Sequence, residues 1–183
     1  MMAQEALLQD KILKKSIVLV GLMGCGKSAV GKRFAKYIKT DFIDLDKEIE
    51  KKEGKTITRI FQENGEEYFR DCERSVLKDL LHGDPCVIAT GGGAFINEQS
   101  RRLIKDKSIS IWIDADFDVL LERVSRKKTR PLLEKGNKEE ILRDLMQKRY
   151  PIYEEAKIRV KSTTAPHERV IEEIMNKLRE SGE

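Results

Sequence analysis

The stretch SIVLVGLMGCGKS, residues 16–28, decides the fold of this chain. Its apolar run at Ser16–Val20 predicts a buried strand, and the helical periodicity of Lys27–Ile38 predicts a helix directly after it. The connection matches the full pattern G-x-x-x-x-G-K-[ST] at Gly21–Ser28. Glycines there let backbone N–H groups surround phosphate oxygens beside the positive end of the following helix. The stretch therefore predicts a phosphate-binding loop for a nucleotide.

Short apolar runs alternate with helical patterns along the rest of the chain. Further strands are predicted at Asp41–Leu45, Cys86–Ala89, Ile109–Ile113 and Ile158–Lys161. Further helices are predicted at Lys47–Glu53, Thr56–Glu63, Glu66–Leu81, Glu98–Lys105, Phe117–Val124, Lys138–Arg149 and His167–Arg179. Strands separated by helices imply a parallel sheet covered on both faces. We expect a three-layer α/β fold in one domain over residues 1–183, with residues 1–15 as a short amphipathic helical extension.

Composition excludes several classes of protein. Lys and Arg total 36 against 32 Asp and Glu, a net charge of +4 that is too balanced to indicate a nucleic-acid partner. No apolar run approaches the roughly 18–20 residues of a membrane span, and residues 1–15 lack the apolar core of a secretory signal. Three irregularly spaced cysteines form neither a disulfide framework nor a CxxC motif. We expect reduced thiols and a cytoplasmic location.

The loop itself suggests roles for two residues. Lys27 would reach the β- and γ-phosphates, and the hydroxyl of Ser28 would bind Mg²⁺. A GTPase would need an N-K-x-D motif, which the sequence lacks, and a large ATPase would need a longer chain. The sequence favours a small ATP-dependent kinase.

Two carboxylates follow the second predicted strand, in FIDLD at residues 42–46. If the chain there is extended, Asp44 and Asp46 lie on the same face, at the strand end where open α/β sheets bind ligands. One would serve Mg²⁺ and the other a substrate hydroxyl. The alternative is that Asp46 is the N-cap of the next helix.

Two arginines and a run of three glycines are further candidates for binding the molecule that accepts the phosphoryl group. Arg70 and Arg149 have few obvious helix partners, and guanidinium groups suit bidentate carboxylate recognition, although a solvated helix face is the usual reason for an arginine. Three glycines at Gly91–Gly93 directly follow a predicted strand, which suggests close approach of the backbone to another group. A plain loop remains the alternative.

Taken together, these motifs resemble the shikimate kinase family from about Ser16 to the C-terminus. The resemblance rests on six segments in order: GLMGCGKS at 21–28, FIDLD at 42–46, FR at 69–70, TGGGA at 90–94, TRPLL at 129–133 and RYPIY at 149–153. It implies transfer of a phosphoryl group from MgATP to the 3-hydroxyl of shikimate. It also implies a fold of the nucleoside-monophosphate-kinase type, with a five-stranded parallel sheet of order 2-3-1-4-5 and a mobile lid at about residues 124–137.

The resemblance also implies roles for individual residues. Lys27, Asp46 and Arg130 would be catalytic, and Ser28 and Asp44 would serve Mg²⁺. Shikimate would be bound by Asp46, Arg70, Gly91, Gly92, Gly93 and Arg149. The nucleotide would be bound by Gly24, Cys25, Gly26, Lys27, Ser28, Ala29, Arg126 and Arg130, with adenine near residues 162–166. Phe61, Phe69, Pro131 and Leu132 would lie around the substrate ring.

Two alternatives stay open at this point. One is a related small kinase acting on gluconate or a nucleoside monophosphate, and the other is a non-catalytic relative that keeps the fold. For partners, we expect shikimate and ATP, no nucleic acid, no membrane and a monomeric protein. Cys25 lies inside the phosphate loop, so we also expect sensitivity to thiol reagents.

Overall fold

The computed structural model describes residues 14–126, 137–164 and 166–181. The helix predicted for residues 1–15 lies almost wholly outside the described residues, as do residues 127–136 of the predicted lid.

Five strands form one parallel sheet. They are β1 Ser16–Val20, β2 Phe42–Asp44, β3 Val87–Ala89, β4 Ser108–Ala115 and β5 Ile158–Ser162. Their order is β2-β3-β1-β4-β5, and every neighbouring pair runs parallel. This confirms the expected order 2-3-1-4-5 and the α/β fold class.

Seven helices surround the sheet within the described ranges. They are α1 Lys27–Ile38, α2 Leu45–Glu53, α3 Ile57–His82, α4 Glu98–Lys107, α5 Phe117–Ser125, α6 Lys138–Tyr153 and α7 His167–Glu180. Helix α3 joins the two helices predicted on either side of Gly65, whose φ of 84° and ψ of 176° break the helix there. Helix α6 was predicted to end at Arg149, but it continues through Pro151 to Tyr153. Proline in a helix removes one donor and does not always end it.

Strand β1 lies at the centre of the sheet and is covered on both faces. All five of its residues are buried, as expected for a strand covered on both faces. Val18 of β1 aligns with Ile88 of β3 on one side and Ser110 of β4 on the other. The large side chains of the core, Trp112 and Tyr153 among them, are fully buried on the β4 side. Because the chain crosses to opposite sides of β1, a crevice opens beyond its carboxyl end.

No helix within the described ranges has the length and the apolar character that crossing a membrane requires.

Gly31 sets the distance between α1 and the sheet. A Cβ at this position would lie 2.5 Å from Cε2 of Phe42 and 3.0 Å from Cδ1 of Leu19. Both distances are shorter than normal van der Waals contact, so the helix packs this closely only with glycine there. Helix α1 carries Lys27 and Ser28, so this contact also fixes the phosphate loop relative to β2.

We predict that Gly31→Ala destabilises the fold although alanine is the better helix former. Overpacking should outweigh the gain in helix propensity and lower the free energy of unfolding by about 1–2 kcal/mol. Denaturant unfolding measures the loss. The matched background is Phe42→Leu, which shortens the opposing side chain, so Gly31→Ala should cost less there. An equal cost in both backgrounds would contradict the proposed contact.

Candidate active site

The phosphate loop takes the conformation that its glycines allow. Gly21, Gly24 and Gly26 have φ values of 138°, 85° and 102°, which side-chain-bearing residues rarely adopt. Gly26 is the N-cap of α1, so the N–H groups of the first helical turn face the loop. A Cβ at Gly24 would also lie 2.9 Å from Val124 on α5. The loop therefore has the shape predicted for a phosphate cradle.

Lys27 folds back across this loop. Its Nζ donates to the carbonyl oxygens of Gly21 at 2.8 Å and Leu22 at 2.9 Å, and its side chain is almost wholly buried. These bonds keep the ammonium group against the loop where phosphate oxygens would lie. Both of these acceptors are neutral carbonyls, so neither supplies a negative charge that would compete with an incoming anion.

Ser28 and Asp44 meet at the mouth of the loop. The hydroxyl of Ser28 donates to Oδ2 of Asp44 at 2.9 Å, which joins α1 to the end of β2. Two neighbouring oxygens of this kind suit Mg²⁺, which usually takes one or two protein oxygens and completes its shell with phosphate and water. Within the described ranges, no cluster of three or more His, Cys, Asp or Glu forms a self-sufficient metal cage. The residues fit an ion that arrives with a nucleotide.

Asp46 does not lie on an extended strand, so the sequence-based placement was wrong on this point. Strand β2 ends at Asp44, and Asp46 lies in the first turn of α2. Nor is Asp46 the N-cap, a position that Asp44 occupies. Burial raises the pKa of the Asp46 carboxyl, with the charge of Asp44 adding to the effect and the cations Lys27 and Arg70 opposing it. A carboxylate with a raised pKa suits acceptance of a proton.

Three consecutive glycines lie against the side chains predicted to bind the phosphoryl acceptor. A Cβ at Gly91 would lie 2.9 Å from Oδ1 of Asp46. At Gly92 it would lie 3.3 Å from Nη1 of Arg149, and at Gly93 only 2.6 Å from both terminal nitrogens of Arg70. Each glycine therefore faces one of the predicted substrate-binding side chains. We call Gly91–Gly93 the glycine platform.

The platform also lies against the phosphate loop. A Cβ at Gly92 would be 3.7 Å from the carbonyl oxygen of Gly21 and from the amide nitrogen of Met23. Asp46 and Lys27 interact electrostatically, which places them in the same site. The phosphate-binding and acceptor-binding halves that the sequence predicted separately are thus adjacent.

The amide groups of the platform have no partner among the described residues. Its carbonyls are occupied: that of Gly91 accepts from Ala94 N–H, and that of Gly93 accepts from the N–H groups of Ile96 and Asn97. The carbonyl of Gly92 accepts from Arg149 and Tyr153. Backbone N–H groups without a partner, next to two guanidinium groups, form a place for an anionic or hydroxylated ligand.

Arg70 pairs with two glutamates of its own helix, although the sequence suggested that helix partners would not explain this arginine. It donates to Oε2 of Glu73 at 2.8 Å and to Oε1 of Glu66 at 3.2 Å. Glu73 is fully buried and its other oxygen, Oε1, has no partner in the described part of the chain. Burial raises the pKa of the Glu73 carboxyl, while the guanidinium of Arg70 acts in the opposite direction. Glu73 thus helps to hold Arg70 at Gly93.

Aromatic side chains lie beside Arg70, and their predicted place around a substrate ring stays a prediction. The rings of Phe61 and Phe69 lie 4.6 Å apart between centroids, and the guanidinium of Arg70 lies 5.1 Å from the centre of Phe69. Pro131, Leu132 and the lid arginine Arg130 lie outside the described residues. Their predicted roles stay predictions.

Arg123 is a loop-binding residue that the sequence reading did not single out. Its Nη1 donates to Ser162 Oγ at 3.0 Å and, at 3.3 Å, to the carbonyls of Gly24 and Cys25. Its Nη2 donates to the carbonyl of Thr163 at 2.7 Å. Arg123 therefore ties the phosphate loop to the segment predicted to contact adenine. Its position directly before the predicted lid was the available signal, but five basic residues crowd that segment.

Arg126 and Cys25 are placed less favourably for the roles predicted for them. The exposed guanidinium of Arg126 pairs with Glu122 one turn earlier on α5, so contact with a nucleotide requires that pair to open. Cys25 is only 1% exposed, and its Sγ lies 3.7 Å from Nζ of Lys27. A thiol reagent would reach it only if the loop moved, so its predicted sensitivity stays untested.

Comparison with known proteins identifies the family. The family model for shikimate kinase matches residues 23–179. The chain belongs to the shikimate kinase family. A shikimate kinase from Bradyrhizobium diazoefficiens is 46% identical over 165 residues, which cover 90% of this chain and 80% of that one.

Solved structures agree with this family. Shikimate kinase from Acinetobacter baumannii in complex with shikimate superposes with a TM-score of 0.88 at 35% identity, covering 94% of this chain and 98% of that one. A gluconokinase from Sinorhizobium meliloti has a TM-score of 0.60 at 18% identity and covers 92% of this chain and 94% of its own, which shows a shared fold alone. The gluconate-kinase alternative is not favoured.

His167 lies at the first position of α7, beside the phosphate loop. Its Cε1 would be 4.0 Å from a Cβ at Gly26. Burial lowers the pKa of His167, and the cations Arg33 and Arg123 add to the effect while Glu168 opposes it. The folded protein therefore disfavours the protonated imidazole.

We predict that His167 makes the ligand-free protein less stable as the pH falls from about 7.5 to about 5.5, across the ordinary histidine pKa of about 6.5. A lowered pKa means that the unfolded chain binds more protons in this window, so stability rises with pH. His167→Gln should lose less stability over the same window, as measured by thermal unfolding at both pH values. His82→Gln controls for the loss of a histidine as such. An unchanged pH dependence in His167→Gln would contradict the prediction.

Proposed function

We propose that this site transfers the γ-phosphoryl group of MgATP to the 3-hydroxyl of shikimate, giving shikimate 3-phosphate and ADP. The observation that carries the proposal is the glycine platform, where Asp46, Arg149 and Arg70 each face one glycine beside the phosphate loop. Membership of the shikimate kinase family supports the choice of acceptor.

The acceptor would be held by charge and by the backbone. Shikimate carries a carboxylate, and Arg70 and Arg149 supply two guanidinium groups with a geometry suited to it. The N–H groups of the platform, which have no partner in the described part of the chain, add donors at the same place. Asp46 lies at the other end of the platform, where it accepts the hydrogen bond of the acceptor hydroxyl and then its proton.

The transferring group would be held by the phosphate loop. Lys27 and the loop N–H groups neutralise the oxygens of the β- and γ-phosphates, since phosphoryl transfer depends chiefly on positioning and charge stabilisation. Ser28 and Asp44 would hold Mg²⁺, Asp44 through water. When bound with ATP, the ion supplies positive charge at the β- and γ-phosphates. Gly24, Cys25, Gly26 and Ala29 contribute the backbone of the cradle.

The lid would complete the site. We propose that Arg130 contacts the transferring phosphoryl group when the segment at about residues 124–137 closes over the ligands and excludes water. Arg126 would be a second nucleotide contact once it leaves Glu122. These roles rest on the family resemblance.

We further propose a single domain over residues 1–183 that acts as a monomer in the cytoplasm. All the site residues described above come from one chain, so the site needs no partner subunit. Cys25, Cys72 and Cys86 are free thiols, which suits a reducing compartment.

The deciding experiment is ADP release with MgATP and a panel of acceptors: shikimate, gluconate and nucleoside monophosphates. We predict turnover with shikimate. In the same assay, Lys27→Ala should lose several orders of magnitude in kcat, because Lys27 stabilises charge in the transition state. Circular dichroism checks that the variant folds. Turnover on another acceptor but not on shikimate would overturn the proposal, and near-normal kcat in Lys27→Ala would overturn the role of Lys27.

We predict that Arg149→Ala raises the KM for shikimate about tenfold or more, because a charge-assisted contact is lost from the bound state. The KM for ATP should change little. The matched control is Arg143→Ala on the same helix, where the guanidinium pairs with Glu139 at the surface. Equal KM values for shikimate in Arg149→Ala and the unmodified protein would remove Arg149 from the site.

A further inference from the structure

Two side chains of α6 converge on one carbonyl of the glycine platform. The hydroxyl of Tyr153 donates to the carbonyl oxygen of Gly92 at 2.6 Å, and Nη1 of Arg149 donates to the same oxygen at 3.1 Å. Tyr153 follows Arg149 by four residues, so the two side chains lie on the same face of the helix. This arrangement exists because α6 continues through Pro151.

Tyr153 is built into the core on all sides. It is fully buried, and its ring lies 6.4 Å from Phe95 and 6.0 Å from Trp112 between centroids. Burial raises the pKa of the Tyr153 hydroxyl well above its ordinary value, so the group stays a neutral donor. A rigid ring with a fixed donor holds the Gly92 carbonyl more firmly than the partly exposed, flexible side chain of Arg149.

The two donors differ in what they must do when an acid binds. The contacts of Arg149 in the described residues include no carboxylate, and its guanidinium rests on the Gly92 carbonyl. To bind a ligand carboxylate it must give up some or all of that contact. If Arg149 were the sole donor, its departure would leave a carbonyl without a partner, which costs free energy. With Tyr153 in place, the carbonyl stays bonded.

The same bond sets the direction of a platform amide. In a trans peptide the carbonyl of one residue and the N–H of the next point in opposite directions within one plane. Holding the Gly92 carbonyl toward Tyr153 therefore points the N–H of Gly93 away from the core. Gly93 is the residue that faces Arg70.

We propose that Tyr153 is a positioning residue for acceptor binding, whose hydroxyl holds the Gly92 carbonyl and so frees Arg149 for the acceptor's carboxylate and orients the Gly93 N–H. Tyr153 touches neither ligand. The inference rests on the proposed function, because it takes shikimate as the acid that Arg149 binds.

The test compares two tyrosines on one helix. Tyr150 also donates its hydroxyl to a backbone carbonyl, that of Ala115 at 2.7 Å, but this carbonyl lies at the end of β4 and not on the platform. Tyr153→Phe should raise the KM and the Kd for shikimate about fivefold, the worth of one hydrogen bond, with the KM for ATP and kcat nearly unchanged. Tyr150→Phe should leave the KM for shikimate unchanged. Thermal unfolding of both variants measures any general loss of stability.

The same substitution in an Arg149→Ala background tests the link between the two side chains. Because part of the effect passes through Arg149, Tyr153→Phe should raise the KM for shikimate less in that background than in the unmodified protein. An equal rise in both backgrounds would overturn the link. Equal rises in Tyr153→Phe and Tyr150→Phe, or a change in stability alone, would reduce Tyr153 to a packing role and overturn the proposal.

A measurement on the unmodified protein keeps the test independent of folding. With ¹³C-labelled backbone, the carbonyl shift of Gly92 should keep its hydrogen-bonded value when shikimate is added, because Tyr153 stays in place. A move to the value of a free carbonyl would overturn the proposal. If the unmodified protein neither binds nor phosphorylates shikimate, the proposed function has failed, whereas normal binding with an unaffected Tyr153→Phe variant counts against the positioning role alone.

Discussion

The close approach of the backbone at Gly91–Gly93 is the constraint on which the site depends. A Cβ at Gly91 would lie 2.9 Å from the carboxylate of Asp46, and one at Gly93 would lie 2.6 Å from the guanidinium of Arg70. Neither side chain could keep its place beside a larger residue. The glycines therefore bring together, within one small region, a carboxylate, two guanidinium groups and amide donors that have no partner among residues 14–126, 137–164 and 166–181. Ordering three glycines costs conformational entropy. The hydrogen bonds that each carbonyl of the platform accepts offset part of this cost.

The sheet brings this platform to the phosphate loop. Strand β1 pairs with β3 on one side and β4 on the other, so the loop after β1 and the platform after β3 emerge side by side. The third contribution comes from β2, whose neighbour is β3 and whose end carries Asp44.

Opposing effects act on Asp46, where the platform meets the phosphate loop. Burial and the charge of Asp44 favour the protonated carboxyl and raise its pKa, while Lys27 and Arg70 favour the ionised form. Two anionic ligands would enter a site whose cations are already in place.

Local sequence patterns predicted the elements well because each carries its own signal. The apolar run of β1, the complete phosphate-loop motif and the helix after it were readable without any tertiary information. Prediction from the sequence failed where contacts between distant parts of the chain determine the position of a residue or the end of a helix. Asp46 was placed on a strand, although the chain turns into α2 directly after Asp44. Helix α6 was ended before Pro151, which hid the convergence of Tyr153 and Arg149 on one carbonyl. Arg123 was hidden among its basic neighbours, because only the fold shows which of them reaches the loop.

The difference between the two arginines indicates how the site would select an acid. Arg70 is already paired with the buried Glu73, so its charge is largely compensated before any ligand arrives. Arg149 rests on a neutral carbonyl that a second donor also serves. No carboxylate of the described residues pairs with Arg149, so its charge would gain most from an incoming carboxylate, while Arg70 would contribute a fixed geometry. An acceptor without a carboxylate would leave that charge desolvated and unpaired, which is costly. On the proposed function, discrimination would depend on Arg149 being free to move, and Tyr153 would be the donor that lets it move.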